Sequence, residues 1–316
     1  MQKEKILNRP VLGTVFIFMI LMAVHAFETL VLRTDQTALA ENVYNKIFGI
    51  AALFYLLRLT GWTWLEIGFD FDEMGEGIKK GLKLAVLSFT FAYCFELLYL
   101  SAKGSLPRFK IYPGSFSLTG ESVRSAGLKA FALCVIFNII NVWMEEGMFR
   151  GFFLNLLETK YRFLISALIS AALFGIWHWL LPVRSYIDGE WDLKMTLLMC
   201  LGYFVLAGLM GMKWAMLREI DGNIWQGLAD HLFNNLVVTN LLHIVTETGT
   251  DELLIARVAI GQILSFLMVL VLYRRKDEPV KEKPRRFHRP PLIQQAEKEQ
   301  KESRDAKKNS PKRRKK

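Results

Sequence analysis

Residues 128–157 read LKAFALCVIFNIINVWMEEGMFRGFFLNLL. The run is apolar and long enough to cross a bilayer as a helix, yet it carries two adjacent carboxylates, Glu145 and Glu146. Insertion scales put one acidic residue at a helix centre at about 2.5–3.5 kcal/mol. A pair side by side therefore needs partners or chemistry that offset the cost. Arg150 follows Glu146 by four residues, on the same helical face, and is its natural partner. Glu145 is turned about 100° away and has no charge partner on its own helix.

Outward from that run, the chain of 316 residues is 52% hydrophobic with positive mean hydropathy. Apolar runs of spanning length recur at 11–32, 43–59, 81–100, 128–157, 163–181, 195–217, 224–245 and 253–273. The expected fold is all-α: a polytopic membrane protein built as a bundle of about eight transmembrane helices. The first run is too long for a signal peptide and lacks a small-residue cleavage pattern, so a retained span is expected. Residues 61–80, GWTWLEIGFDFDEMGEGIKK, combine tryptophans, acids and glycines and suit the interface, while 101–124 is expected to be irregular. Residues 1–273 form the transmembrane helical domain.

Charge separates off the remainder. The net charge is +10, but residues 274–316 hold 18 Lys/Arg against 7 Asp/Glu, and the other 273 residues hold 22 against 23. A polar, Lys- and Pro-rich segment cannot bury a core, so 274–316 is expected to be a disordered basic tail. Its ending, Pro311-Lys-Arg-Arg-Lys-Lys316, suits a topology determinant that meets anionic lipid head groups, with no nucleic-acid partner. Positive-inside logic puts the tail in the cytoplasm and, with eight spans, the N-terminus (Lys3, Lys5, Arg9) as well. Lys103, Arg108 and Lys110 then fall on the outer side, against the trend. The expected setting is a bacterial plasma membrane. Cys94, Cys134 and Cys200 all lie in predicted spans and share no ligand spacing, which argues for packing and against a disulfide framework.

Polar groups at membrane depth concentrate in three runs: Glu145, Glu146 and Arg150; Phe174 to His178; and Gln226, Asp230, His231, Asn234 and Asn235. The break at 158–162, ETKYR, makes the fourth and fifth spans an antiparallel hairpin. From a turn at Lys160, Glu145 and His178 lie roughly 22 and 27 Å away at about 1.5 Å per residue. His231 and Asn235 share one face of the seventh span. One layer can thus hold Glu145, His178, His231 and Asn235. A carboxylate and an imidazole there could take a proton from a water attacking a carbonyl. A second imidazole and an amide could donate to the oxyanion. HExxH and GxSxG motifs and an intramembrane aspartate pair are absent. Zinc on Glu145, His178 and His231 is the alternative to a metal-free site, which is favoured. His25 (beside Glu28) and His243 read as interhelical hydrogen-bonding groups, and Glu96 and Lys83 as facing a wet interface or snorkelling. Phe174 and Trp177 read chiefly as packing, with Phe174 placed to wall the site.

Together, Glu145-Glu146…Arg150, Phe174…His178 and His231…Asn235 resemble the EExxxR, FxxxH and HxxxN signature of the CAAX protease and bacteriocin-processing (CPBP, or Abi) family of intramembrane endopeptidases. The resemblance covers about 128–245 and implies a helical bundle with a membrane-open catalytic cavity. It also implies that Glu145 and His178 activate the water and that His231 with Asn235 stabilises the oxyanion, with Glu146, Arg150 and Phe174 in support. Eukaryotic members remove the last three residues of prenylated CAAX proteins. The implied function is hydrolysis of peptide bonds near the C-terminus or processing site of membrane-associated or peptide substrates. The rival reading is a non-catalytic scaffold or immunity protein that uses the same polar layer for packing.

Overall fold

The computed structural model describes residues 6–37, 39, 41–114 and 127–275. The basic tail therefore lies outside the described residues from 276 onward, as does most of the loop before residue 127. Among the described residues the α-helices and two short strands follow in order: α1 Pro10–Phe27, α2 Tyr44–Thr60, α3 Met74–Ala102, β1 Arg108–Ile111, α4 Leu128–Glu145, α5 Leu154–Glu158, α6 Phe163–Trp177, α7 Leu180–Ile187, α8 Leu193–Asp221, α9 Trp225–Leu232, β2 Leu242–Val245 and α10 Leu254–Arg275.

Among the described residues six helical stretches are long and apolar enough to cross a membrane: Pro10–Gln36, Phe71–Ala102, Leu128–Glu158, Phe163–Ile187, Leu193–Asp221 and Leu254–Arg275. The count of eight is not met by that measure, for two reasons. The second run forms α2, a helix of 17 residues that is slightly too short. The seventh run is not one helix. After α9 the chain widens into a π-helical stretch, Phe233–Thr239, and then extends into β2. The sequence there turns β-branched and polar (VVTN, then HIVT), which favours extended backbone. Strand β2 pairs antiparallel with β1, Ile244 opposite Phe109, so the loop expected to be irregular holds a strand.

Helix ends follow local chemistry. Pro10 opens α1, where its missing N–H costs nothing. The first turn of α2 is capped from another helix: the Glu28 carboxylate accepts from the Tyr44 amide at 2.8 Å and from the Asn45 side chain at 2.7 Å. Glu28 is thus committed to capping and does not pair with His25 as expected. Asp192 caps α8 by accepting from the Met195 amide at 2.7 Å. Gly222 ends α8 in the left-handed conformation at φ 79°, which a side chain would resist.

Helix α6 packs along α8, α3 along α9 and α10, and α8 along α10. Gly81 lets α3 and α9 touch backbone to backbone: a Cβ there would sit 2.3 Å from the Gln226 carbonyl oxygen. The core between them is aromatic, with Phe149, Phe152, Phe153, Phe174, Trp177, Trp214 and Trp225 all buried. Two assignments change. Glu96 is buried and bonded to Arg257 at 2.7 Å, not facing a wet interface. His243 sits on β2, against Asp251 and the Tyr112 carbonyl oxygen, not between helices. The three cysteines are free, and Cys94 is exposed on the outside of α3.

Candidate active site

The site begins where α4 gives way to a π-helical stretch, Glu146–Phe153. Such local widenings recur at functional positions, because they re-aim side chains that a regular helix would stack. Here Glu145 ends the α-helical part and Glu146 and Arg150 lie on the widened turns, all buried. Glu146 Oε1 is 3.4 Å from Arg150 Nη1, the pairing expected from the spacing, and 2.9 Å from His231 Nδ1. The guanidinium of Arg150 lies 3.9 Å over the Phe174 ring and also faces Trp214. Gly211 on α8 makes room for it, since a Cβ there would be 2.9 Å from Arg150 Nη2. Stacking on two aromatic faces offsets part of the cost of burying the cation.

Glu145 has partners, and they come from other helices. Its Oε1 accepts from Trp177 Nε1 at 3.1 Å and lies 4.0 Å from Lys46 Nζ on α2. Its Oε2 is 3.5 Å from His231 Nε2 and accepts no hydrogen bond among the described residues. Asn235 Nδ2 lies 3.2 Å from that same Nε2. Glu145, His231 and Asn235 therefore meet at a single imidazole nitrogen.

His178 stands beside this contact, at the end of α6. Its Nδ1 is 2.8 Å from the Phe174 carbonyl oxygen, and its ring stacks parallel to Tyr203 at 6.1 Å. No hydrogen bond joins it to Glu145 among the described residues. Phe174 separates the two imidazoles, edge-to-face with His178 at 4.7 Å and with His231 at 6.1 Å. Trp177 is more than packing: it holds Glu145, and its ring carries His25 at 4.2 Å.

Several residues near the site escaped the sequence reading. Lys46 sits in the first turn of the second run, and a lone cation at membrane depth was a signal for it. Lys213, within the sixth run, was a second. Tyr203 and Trp214 gave none, since aromatic residues are ordinary in spans; Trp214 stacks on His231 at 3.9 Å and 15°.

A zinc ion at this site would draw on Glu145, His178 and His231. Among the described residues no group of three or more His, Cys, Asp or Glu is disposed to hold a metal ion, Glu145, His178 and His231 included. The nitrogens His231 would offer are already engaged by Glu146 and Asn235. These side chains do not fit a preformed metal site, and no chemical step is derived through one.

Comparison with known proteins bears on this same segment. The family model described as type II CAAX prenyl endopeptidase Rce1-like matches residues 127–237, which contain Glu145, His178, His231 and Asn235. No curated protein and no solved structure matches the chain. With six helices able to span a bilayer, the chain is an integral, multi-pass membrane protein. Over residues 127–237, about a third of its length, the chain is similar to the Rce1-like type II CAAX prenyl endopeptidases.

Proposed function

We propose that this protein is an intramembrane endopeptidase of the CAAX type, cutting peptide bonds near the C-terminus or processing site of membrane-associated or peptide substrates. One observation carries the reading. Glu145 is fixed through Oε1 by Trp177, while its buried Oε2 accepts no hydrogen bond among the described residues and faces an imidazole nitrogen at 3.5 Å. A buried carboxylate oxygen left without a donor is costly in a purely structural role. It suits a general base that receives a proton.

In this mechanism Glu145 Oε2, with His178 on the adjoining wall, takes a proton from water as the water oxygen bonds to the scissile carbonyl carbon. The carbonyl π electrons move onto oxygen, and that oxyanion accepts from Asn235 and from His231 once the proton has passed from Glu145 to its Nε2. Collapse breaks the carbon–nitrogen bond, and the proton passes to the departing amine. Arg150 and Glu146 hold His231, and Phe174 sets the spacing of the imidazoles. The remaining proposals concern setting: eight passes in a bacterial plasma membrane, both termini cytoplasmic, a basic tail against anionic lipid, and no required metal.

The test uses purified full-length protein in lipid with a peptide library that includes prenylated and unprenylated C-termini. Glu145→Gln keeps the shape and removes the base. It should lower kcat by about 10²–10⁴-fold, with chelator leaving the wild type active. Equal cleavage by the variant would end the glutamate mechanism. Activity lost on chelation and restored by zinc would end the metal-free form. A wild type that cuts nothing in the library would favour the scaffold reading.

A further inference from the structure

Behind the site runs a second polar cluster that the mechanism above leaves unused. Lys213 on α8 and Gln262 and Ser265 on α10 are fully buried, as is Asp230 on α9. Lys213 Nζ donates to Asp230 Oδ2 at 2.5 Å, Gln262 Oε1 at 2.6 Å and Ser265 Oγ at 2.9 Å. These three contacts use all the hydrogens of an ammonium, which has no lone pair and cannot accept.

That one-way chemistry propagates. With Gln262 Oε1 turned to Lys213, Gln262 Nε2 must be the end that meets Asn234, and it donates to Asn234 Oδ1 at 3.0 Å. Asn234 Nδ2 then donates to Asn235 Oδ1 at 2.9 Å. Asn235 is left to present Nδ2 to His231 Nε2, 3.2 Å away. Each amide orientation follows from the cation at the start of the chain.

A second chain reaches His231 from its other side. Arg150 is a cation 3.4 Å from Glu146 Oε1 and favours its ionised, accepting form, and that oxygen in turn accepts the Nδ1–H of His231 at 2.9 Å. Both chains demand the same tautomer: Nδ1 protonated, Nε2 bare and accepting.

We propose that Lys213, Gln262 and Asn234 form a polarity relay that fixes the Asn235 amide and, through it, the His231 tautomer, so that Nε2 starts the reaction as a proton acceptor. These are positioning residues that act through Asn235. The relay rests on the peptidase reading only for its use. A bare Nε2 cannot donate to an oxyanion. It becomes a donor when Asn235 Nδ2 turns from it to the oxyanion and the proton taken from water by Glu145 Oε2 crosses the 3.5 Å to it, so the second oxyanion donor is created by the first proton transfer. No proton is gained or lost overall: water gives it, Glu145 and His231 carry it, and the leaving amine receives it.

Imidazole 15N spectra of full-length protein in nanodiscs, with the His231 signals assigned by a His231→Gln sample, read the tautomer directly. The wild type should show a protonated Nδ1 and an unprotonated Nε2. Asn234→Asp can only accept, and so should turn the Asn235 amide over, present Asn235 Oδ1 to Nε2 and place a proton on Nε2, either as the other tautomer or as an imidazolium that keeps its Nδ1–H to Glu146. Gln262→Glu keeps the partner of Lys213 and should reverse the chain in the same sense. Both variants should lose about 100-fold in kcat with KM unchanged. A wild-type Nε2 that is already protonated would overturn the relay even if neither variant folds. Variants with the wild-type tautomer would overturn it too. If the tautomer reverses while the wild type cleaves no peptide, the relay stands and the peptidase reading falls.

Discussion

At the scale of single residues, the rule that an ionisable group at membrane depth needs a partner located Glu145 and paired Glu146 with Arg150. It did not supply the partners of Glu145, because Trp177 and Lys46 lie 32 and 99 positions away and only tertiary packing brings them in. The Trp177 bond is the one most open to test. Trp177→Phe keeps an aromatic ring beside His25 and Phe149 and removes the neutral hydrogen bond to Glu145 Oε1. A hydrogen bond to a charged group is worth about 1.5–3 kcal/mol, and every 1.36 kcal/mol is tenfold in rate. The variant should therefore lose about 10- to 100-fold in kcat/KM at near-normal thermal stability. Wild-type kinetics would mean that Lys46 and packing alone orient the carboxylate.

At the scale of elements, the spans and the hairpin between the fourth and fifth runs were legible because length and apolarity are one-dimensional signals: α5 ends at Glu158 and α6 begins at Phe163, around the expected break. The π-helical stretches that carry Glu146, Arg150, Asn234 and Asn235 were not legible. They depend on how neighbouring helices press on the turn, and a 3.6-residue periodicity passes over them. What sets the approach of the elements is visible at glycine. The α3–α9 contact holds the seventh-run residues against the rest of the site, and at Gly81 a Cβ would meet the Gln226 carbonyl oxygen at 2.3 Å and the Ala229 methyl at 2.7 Å. Backbone on one side and a short side chain on the other cannot swing away. Gly81→Ala should thus force the helices apart and cost about 1–3 kcal/mol, the usual range for overpacking. Gly75, on the same helix, has nothing within 4 Å of its would-be Cβ, and Gly75→Ala should be neutral or slightly stabilising. Thermal unfolding of the two variants in one detergent separates the effects; equal midpoints would show that the α3–α9 approach is not the constraint.

At the scale of the whole molecule, the ends of the elements sort into two groups by their contacts. Lys160 bonds the Asn8 carbonyl, Arg218 lies 3.3 Å from Glu158, and the Ile224 amide donates to the Gly68 carbonyl at 3.0 Å. These contacts gather the start of α1, the α5–α6 turn, the end of α8 and the start of α9. The other group holds the Arg184–Asp35 pair at 2.6 Å, the Arg33–Asp188 pair, the β1–β2 ribbon, and the Arg257–Asp251 pair at the start of α10. In the proposed eight-pass topology a chain alternating between these groups would make a pass with α2 and another with α9 and its π-helical continuation, although neither is long and apolar by itself. The seventh pass can be short because α3, α8 and α10 enclose it, so its broken backbone meets protein where lipid would leave it unsatisfied. The consequence is topological: residues 10 and 275 should emerge on the same side of the membrane. Tags appended to each terminus, probed with protease on sealed right-side-out and inverted vesicles, should be cut together in one preparation and spared together in the other. Tags cut in opposite preparations would mean an odd number of passes, with either α2 or the α9 segment failing to cross.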